Sequence, residues 1–327
     1  MSELTQVVAG IDIGGTSLVG GIIGPDADCR FKLKMPTGAG SGSEVVFDNI
    51  KRVAEQLLEW CRTREIRIGK LGISTAGQVD PAAGRILYAT DTFPGWTGFP
   101  LKERLETDLR LEVFVENDAF AAGWGEKCFG LAQEVSDFIM ITLGTGIGGA
   151  LFARGRLLTG SHNLAGLIGH MTIDPLGKPC NCGGRGCLEQ YSSGTAIAGR
   201  ALELTRLSQY SAFKEKIEEL HSFSARDVFD LAGSGDPMAQ EIVAEAAIYL
   251  GAGIGGLITL LNPELVVLSG GVSRSGNFFL RQVTEAAKNH STPASFGKAR
   301  INISEFVDDC GLIGAGAVAY TSGIERL

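Results

Sequence analysis

The sequence predicts an α/β protein made of two similar lobes, and three observations carry that prediction. Apolar runs of strand length alternate with amphipathic helical stretches. One device, an apolar strand followed by a glycine-rich turn and a second apolar strand, occurs twice, about 130 residues apart. The chain has 327 residues, 44% of them hydrophobic and 46 of them glycine, which is core enough for two average domains.

The elements follow in order. TQVVAGIDIG reads as a strand, and GGTSLVGGIIG as a glycine turn with a returning strand. A helix starts at Ser43, where Val46, Ile50, Val53, Leu57 and Cys61 recur at steps of three and four and lay one apolar stripe along it. KLGIST is the next strand, and LEVFVEN, leading into the helix AFAAGWGEKCF, closes the first half. DFIMITLG, the turn GTGIGG and GALFARG then repeat the opening device. From SARDVFDL to LSGGVS the pattern is helix, helix, strand and glycine turn, with Pro263 marking the exit from the long helix.

Composition narrows the function classes. Lys+Arg number 29 against 37 Asp+Glu, a formal net charge of -8, so no basic surplus exists to neutralise nucleic-acid phosphates or anionic lipid headgroups. MSELTQVVAG has no positively charged region ahead of an apolar stretch, and no window nears an uninterrupted membrane span. A soluble, cytoplasmic protein with neither nucleic-acid nor membrane partners is expected. The seven cysteines are odd in number and four are scattered, which argues against a secreted disulfide framework.

GTGIGG places glycines at 144, 146 and 149 and formally matches a dinucleotide-binding fingerprint. That motif needs a helix directly after it and an acid about twenty residues on. Here ALFARGRLL alternates like a strand, and the next acid is Asp174. GAGIGG at 251 to 256 lies inside a helical pattern and reads as a close-packing surface, and no Walker sequence with its lysine occurs. Two readings of the paired glycine turns stand. They are hairpins that need glycine for their bends, or two cradles of backbone N–H groups gripping one nucleotide across a cleft, with Asp12 holding magnesium through water.

Two further features are open in the same way. GHMTIDPLGKPCNCGGRGCLE, from Gly169 to Glu189, packs one histidine and three cysteines together: a zinc site, a redox cluster or coincidence. Asp118 ends a strand and opens a helix, so it is either a helix cap or a general base aimed into the region where ligands of α/β proteins collect.

Taken together, DIGGT at 12 to 16, STAG at 74 to 77, FPGW at 93 to 96, ENDA at 116 to 119, TLGTGIGGA at 142 to 150, IGH at 168 to 170, CNCGGRGCLE at 180 to 189 and LSGGVS at 268 to 273 resemble the ROK family of bacterial sugar kinases, in order and over about 260 residues. The resemblance implies a duplicated actin-like ATPase (ribonuclease-H-like) fold, two lobes with a cleft between them, ATP between the lobes and a hexose in the cleft. It implies a small lobe of residues 1–118 plus 311–327, the latter holding the small-residue helix GLIGAGAVAYTSG, and a large lobe of residues 119–310 with a zinc loop at 170–187.

Site residues follow from the same resemblance. The zinc ligands fall on His170, Cys180, Cys182 and Cys187, and the chemistry agrees: one imidazole and three thiolates fill a tetrahedral shell of the structural type. The loop carries Pro175, Pro179 and several glycines, so zinc would supply its missing core; a CxC spacing is also not the CxxC of a redox pair. Asp118 becomes the catalytic base. Asn117, Asp118, His170 and Glu189 are expected at sugar hydroxyls, with the backbone of Ala76 and Gly77 lining the pocket. His170 would serve twice, one ring nitrogen on zinc and the other toward the sugar. Asp12, Gly14, Gly15, Thr16, Gly144, Thr145, Gly146, Gly270 and Gly271 are expected around ATP and Mg2+.

Two positions depart from the family pattern. Leu167 stands where AGEIGH would supply a hydroxyl-binding glutamate, and leucine accepts no hydrogen bond. Thr92 stands where many members have asparagine. A missing partner for a buried hydroxyl costs on the order of 1 to 3 kcal/mol, which bears on the choice of sugar. The expected function is ATP-dependent phosphorylation of the 6-hydroxyl of a glucose-like hexose by a homodimer or homotetramer. The alternatives are an N-acetylmannosamine, other amino-sugar or glycoside kinase, and, from another class, a non-catalytic sugar sensor or a regulator. The regulator is disfavoured because DIGGT begins at residue 12, too early for a DNA-binding module.

Overall fold

The structure, a computed structural model, describes residues 7–90, 93–207, 211–218 and 223–327. Thr92 lies outside the described residues. The chain forms two compact units: Met1–Glu134 with Ala153–Ala165 and Asp309–Leu327, and Val135–Phe152 with Gly166–Asp308.

In the first unit the elements run β1 (Val8–Ile13), β2 (Ser17–Ile23), β3 (Cys29–Pro36), α1 (Ser43–Arg62), β4 (Lys70–Thr75), the hairpin β5 (Gln78–Asp80) and β6 (Arg85–Tyr88), α2 (Leu101–Leu109), β7 (Glu112–Asn117) and α3 (Asp118–Phe129). The main sheet has the order β3-β2-β1-β4-β7, with β1, β4 and β7 parallel and β1, β2 and β3 antiparallel. Helix α1 begins at Ser43 and buries Val46, Ile50, Val53, Leu57 and Cys61, the stripe read from spacing alone. It lies so close to β2 that a Cβ on Gly20 would come within 2.4 Å of Val53. The FPGW segment feeds the same core: Trp96 stacks on Phe99 at 4.8 Å and donates Nε1–H to Thr75 Oγ1 at 3.3 Å.

The chain continues through β8 (Phe138–Leu143) and β9 (Ile147–Ala153), then β10 (Arg156–Leu157), which lies in the stretch Ala153–Ala165 of the first unit. The second unit resumes with α4 (Glu189–Ser192), α5 (Gly194–Leu207), α6 (Ser211–Glu218), α7 (Ala225–Gly233), α8 (Pro237–Leu261), β11 (Leu265–Ser269), α9 (Asn277–Asn289), α10 (Pro293–Phe296) and β12 (Arg300–Ile303). Its strands lie in the order β9-β8-β11-β12. The duplication is visible in pairing: β1 is antiparallel to β2 and parallel to β4, and β8 is antiparallel to β9 and parallel to β11. This is the duplicated actin-like arrangement expected.

Helix α8 starts from Asp236, whose side chain accepts from the N–H groups of Met238 and Ala239. It is long and apolar enough to cross a membrane, yet most of it is buried in the core of this unit. Its glycines do what the helical pattern suggested: a Cβ on Gly251 would meet Ala286 of α9 at 2.4 Å.

Helix α11 (Cys310–Thr321) returns to the first unit. Its small residues let it press on β4, where a Cβ on Gly72 would fall 1.8 Å from the Ala315 carbonyl oxygen, and on α3, where a Cβ on Gly314 would fall 2.4 Å from the Ala121 backbone. That packing explains why α3 groups with the first unit and not, as the expected boundary at 118 has it, with the second.

Candidate active site

The carboxyl ends of three parallel strands assemble the acidic part of the site. Pairing sets Asp12 beside Ser74 and Ser74 beside Glu116, in one row across β1, β4 and β7; in the next row Ile13, Thr75 and Asn117 stand together. Ser74 Oγ donates to Asp12 Oδ1 at 2.8 Å. Burial lifts the Asp12 carboxyl from its ordinary 3.8 to about 6; the Ser74 bond opposes the shift, and the nearby charges of Asp118 and Asp309 add to it. Glycine at 311 allows this contact with the start of α11, because a Cβ there would lie 2.4 Å from the Asp12 carboxyl. Asp309 in turn pairs with Lys32.

Asp118 is not the helix cap. Asn117 holds that place, its Oδ1 accepting from the N–H groups of Ala119 and Phe120, and Asp118 is the first helical residue. Asn117 Nδ2 donates to the Gly77 carbonyl and to Asp118 Oδ1, each at 2.9 Å. The Ala119 N–H also donates to Asp118 Oδ1, at 2.9 Å, so these two donors converge on one oxygen. Asp118 is exposed at its surface, but surrounding protein displaces enough hydration to push its carboxyl above the ordinary value, against the pull of Ala119 and Asn117. The amide of Asn117 therefore has both hydrogens and both lone pairs engaged, and a sugar hydroxyl would reach it only by displacing one of them.

Gly77 has φ 100° and passes close to the β6 end, where a Cβ would meet the Tyr88 carbonyl at 2.5 Å. Ala76 precedes it, half-buried. In the β1–β2 turn, Gly14 N–H donates to the Ser17 carbonyl at 3.0 Å, Thr37 Oγ1 donates to the Gly14 carbonyl at 2.6 Å, and Gly15 and Thr16 are exposed.

In the second unit a cavity of about 780 Å³ opens beside the other glycine turns. Gly144 and Thr145 line it from the β8–β9 turn and Gly271 from the turn after β11, with Phe229 and Asp230 of α7. Gly194 and Thr195 at the start of α5 also line it, and the Gly194 N–H donates to the Gly144 carbonyl at 2.8 Å. Gly146 and Gly270 have different duties. A Cβ on Gly146 would fall 2.3 Å from Glu189, whose Oε2 accepts from Ile147 N–H at 2.8 Å; one on Gly270, at φ 89°, would fall 2.6 Å from the Leu143 carbonyl. Glu189 is thus a bonded part of the β8–β9 turn and not a free loop acid.

Sequence reasoning missed the α5 and α7 contributions to this cavity. The Ser193 side chain, which accepts from Ala196 N–H at 3.1 Å, is a capping signal that would have flagged the α5 start. The start of α7 carries a comparable signal, Ser224 with Asp227 three residues on, where Ser224 N–H donates to Asp227 Oδ2 at 2.8 Å.

The metal-type cluster forms as expected. His170, on the turn Ile168–His170, and Cys180, Cys182 and Cys187 bring their donor atoms within 4.8 Å of one another. His170 Nδ1 lies 3.7 Å from Cys180 Sγ, and Cys182 Sγ lies 3.7 Å from Cys187 Sγ. Tetrahedral zinc with Zn–S bonds of about 2.3 Å separates its sulfurs by roughly 3.8 Å, so the donor set fits that ion. Nδ1 faces the cluster, which leaves Nε2 as the nitrogen for any second role. Leu167, the residue before this turn, is 50% exposed.

Residues 8–322 match the ROK family. The glucokinase of Halalkalibacterium halodurans is 34% identical over 94% of this chain and 93% of its own. The N-acetylmannosamine kinase of Shigella boydii is 31% identical over 94% of this chain and 97% of its own. Among solved structures, a ROK family glucokinase from Streptomyces griseus in complex with glucose and AMPPNP superposes with a TM-score of 0.84, at 30% identity, covering 96% of this chain and 99% of that one.

Proposed function

The chain belongs to the ROK family, and from that premise we propose that it is an ATP-dependent sugar kinase that moves the γ-phosphoryl group to the 6-hydroxyl of a hexose, glucose first among them. The observation that carries this reading is the division of labour at the start of α3. Asn117 caps the helix and, together with the Ala119 N–H, anchors Asp118 through Oδ1, and in this reading Oδ2 takes the proton. Kinship with glucokinases over most of the chain supports it. The cavity beside Gly144 and Gly271, walled in part by Phe229 and Val272, suits the nucleoside end of a donor, which a bare polyphosphate lacks.

The residues act as follows. As the sugar oxygen attacks the γ-phosphorus, its proton passes to Asp118 Oδ2, the bond from phosphorus to the bridging oxygen breaks, and ADP leaves with the electron pair. Partial dehydration makes Asp118 a better proton acceptor than an ordinary carboxylate. The exposed turn at Gly15 and Thr16 and the turn at Gly144 and Thr145 offer backbone N–H groups to phosphate oxygens. Asp12 accepts one hydroxyl bond and lies near two like charges, an environment that a hard divalent cation would relieve, so it would hold magnesium, directly or through water. Magnesium, when bound, neutralises charge on the phosphates. His170, fixed through Nδ1 by structural zinc, would present Nε2 to the sugar, with Glu189 beside the β8–β9 turn as a further hydroxyl acceptor.

One observation favours a second substrate. Leu167 puts an exposed apolar side chain three residues from His170, where a carboxylate would favour a plain hydroxyl; an N-acetyl amino sugar such as N-acetylmannosamine, or a glycoside, presents a less polar surface. We place the enzyme in the cytoplasm, as a homodimer or homotetramer, which sedimentation would check. A coupled ADP-release assay over glucose, mannose, fructose, N-acetylglucosamine, N-acetylmannosamine and β-glucosides tests the whole reading. Sugar-dependent ADP with glucose is expected; none from any sugar would replace the kinase with a sensor.

A further inference from the structure

Residues 324–327 are tied firmly to the rest of the first unit. Leu157 N–H donates to the Glu325 carbonyl and Leu327 N–H to the Leu157 carbonyl, both at 2.9 Å. Between them Arg326 reaches inward, pairing through Nη2 with Glu116 Oε2 while Nη1 donates to the Ile324 carbonyl at 3.0 Å. Glu116 is almost wholly enclosed, its side chain 3% exposed against 22% for Arg326. Its other oxygen, Oε1, accepts from the Asn117 N–H at 3.0 Å.

A buried ion pair is a weak source of stability, because desolvation offsets its attraction, but removing one partner leaves a costly unpaired charge and a carboxylate free to turn. Here that carboxylate holds the backbone of the residue that holds Asp118. Successive side chains alternate faces along a strand, so Glu116 works from the face of β7 opposite Asn117. The sequence of bonds is continuous: Arg326 to Glu116 Oε2, Glu116 Oε1 to Asn117 N–H, Asn117 Nδ2 to Asp118 Oδ1.

We infer that Arg326 is a positioning residue for phosphoryl transfer: by fixing the buried Glu116 carboxylate behind β7, it sets the backbone of Asn117 and thereby the orientation of Asp118. The inference rests on Asp118 acting as the base. Misplacement of a reacting group by a fraction of an ångström to an ångström costs roughly ten- to a hundredfold in rate.

The test compares Arg326→Met, Arg326→Lys, Glu116→Gln and the double variant Arg326→Met with Glu116→Gln. Arg326→Met should lower kcat about tenfold or more while the KM for ATP stays within about twofold. Arg326→Lys should regain most of the loss, and the double variant should be less impaired than Arg326→Met alone, because no unpaired carboxylate remains. Should Arg326→Met fail to fold, Glu116→Gln carries the same test. Amide hydrogen exchange at Asn117, Ala119 and Phe120 supplies a readout independent of turnover and should quicken in Arg326→Met. A wild-type chain that phosphorylates no sugar would count against the kinase reading, and the exchange data would still decide this one. Unchanged exchange at those three amides overturns the inference, as does a variant whose melting temperature falls while kcat per folded molecule is unaltered.

Discussion

Asn117 donates its side-chain amide to Asp118 Oδ1 at 2.9 Å while its own oxygen caps the helix that Asp118 begins. The two adjacent residues thus separate a structural task from a chemical one, and the separation can be tested at each.

Asp118→Asn should fold like the parent, because the cap belongs to Asn117. Its kcat should fall by roughly a hundred- to ten-thousandfold with sugar affinity largely kept, the usual loss for a positioned base. Steady-state kinetics beside a calorimetric sugar titration measure both, and an undiminished kcat would remove Asp118 from the mechanism.

Asn117→Asp keeps a good capping oxygen but loses both donated bonds, to Gly77 and to Asp118, and sets a like charge against Asp118. Thermal stability should change by less than about 1 kcal/mol, whereas kcat should drop at least tenfold. Asn117→Ala, by contrast, should lose both stability and rate. Thermal melts paired with the ADP assay distinguish the two variants.

The Asp12 carboxyl, lifted from 3.8 to about 6, binds its proton more tightly in the folded chain than in the unfolded one. Stability must therefore fall as pH rises through the interval between those values, the penalty being absent below it and complete above it. At 1.36 kcal/mol per pKa unit, Asp12→Asn should be more stable than the parent by up to about 3 kcal/mol at neutral pH. Near pH 4 the two proteins should melt together. Melting curves across that range check the sign; a variant equally destabilised at both ends would refute it.

Elemental analysis should find zinc bound at the cluster of His170, Cys180, Cys182 and Cys187. Removal by a strong chelator, or Cys182→Ser, should lower the melting temperature and raise the KM for sugar more than that for ATP, because His170 loses the ion that orients its ring. Metal-free protein with unchanged melting would rule out the structural role.

Leu167→Glu restores a hydrogen-bond acceptor at a half-exposed position three residues from His170. Selectivity for glucose over N-acetylated sugars should rise about ten- to a hundredfold in kcat/KM, the worth of one hydroxyl contact of 1 to 3 kcal/mol. The substrate panel measures this ratio directly.

Much of the molecule could be read from local pattern because its governing interactions are local or periodic. Helix α1 was legible in the spacing of Val46, Ile50, Val53, Leu57 and Cys61, and the strands β4 and β7 in the runs KLGIST and LEVFVEN. The four metal-type ligands were legible because their side chains are chemically unusual and close in sequence. The purpose of single glycines was not: Gly146 makes room for Glu189, and Gly311 for Asp12, partners 43 and 299 positions away.

By itself the sequence determined α1, the strands β1, β4, β7 and β11, the duplicated hairpins and the kinds of chemistry available, since these depend on residue type and on intervals of two to four positions, whereas β3, the β5–β6 hairpin, α2, α9 and β12 were not read from it. Tertiary structure alone decided that Asn117 and not Asp118 caps α3, that Ser74 binds Asp12, that α5 and α7 help wall the cavity, and that Arg326 supports Glu116. The physical reason is that hydrogen bonds and buried charges are settled by which atoms come within about 3 Å of each other, and chain separation carries no record of that distance until the backbone has folded.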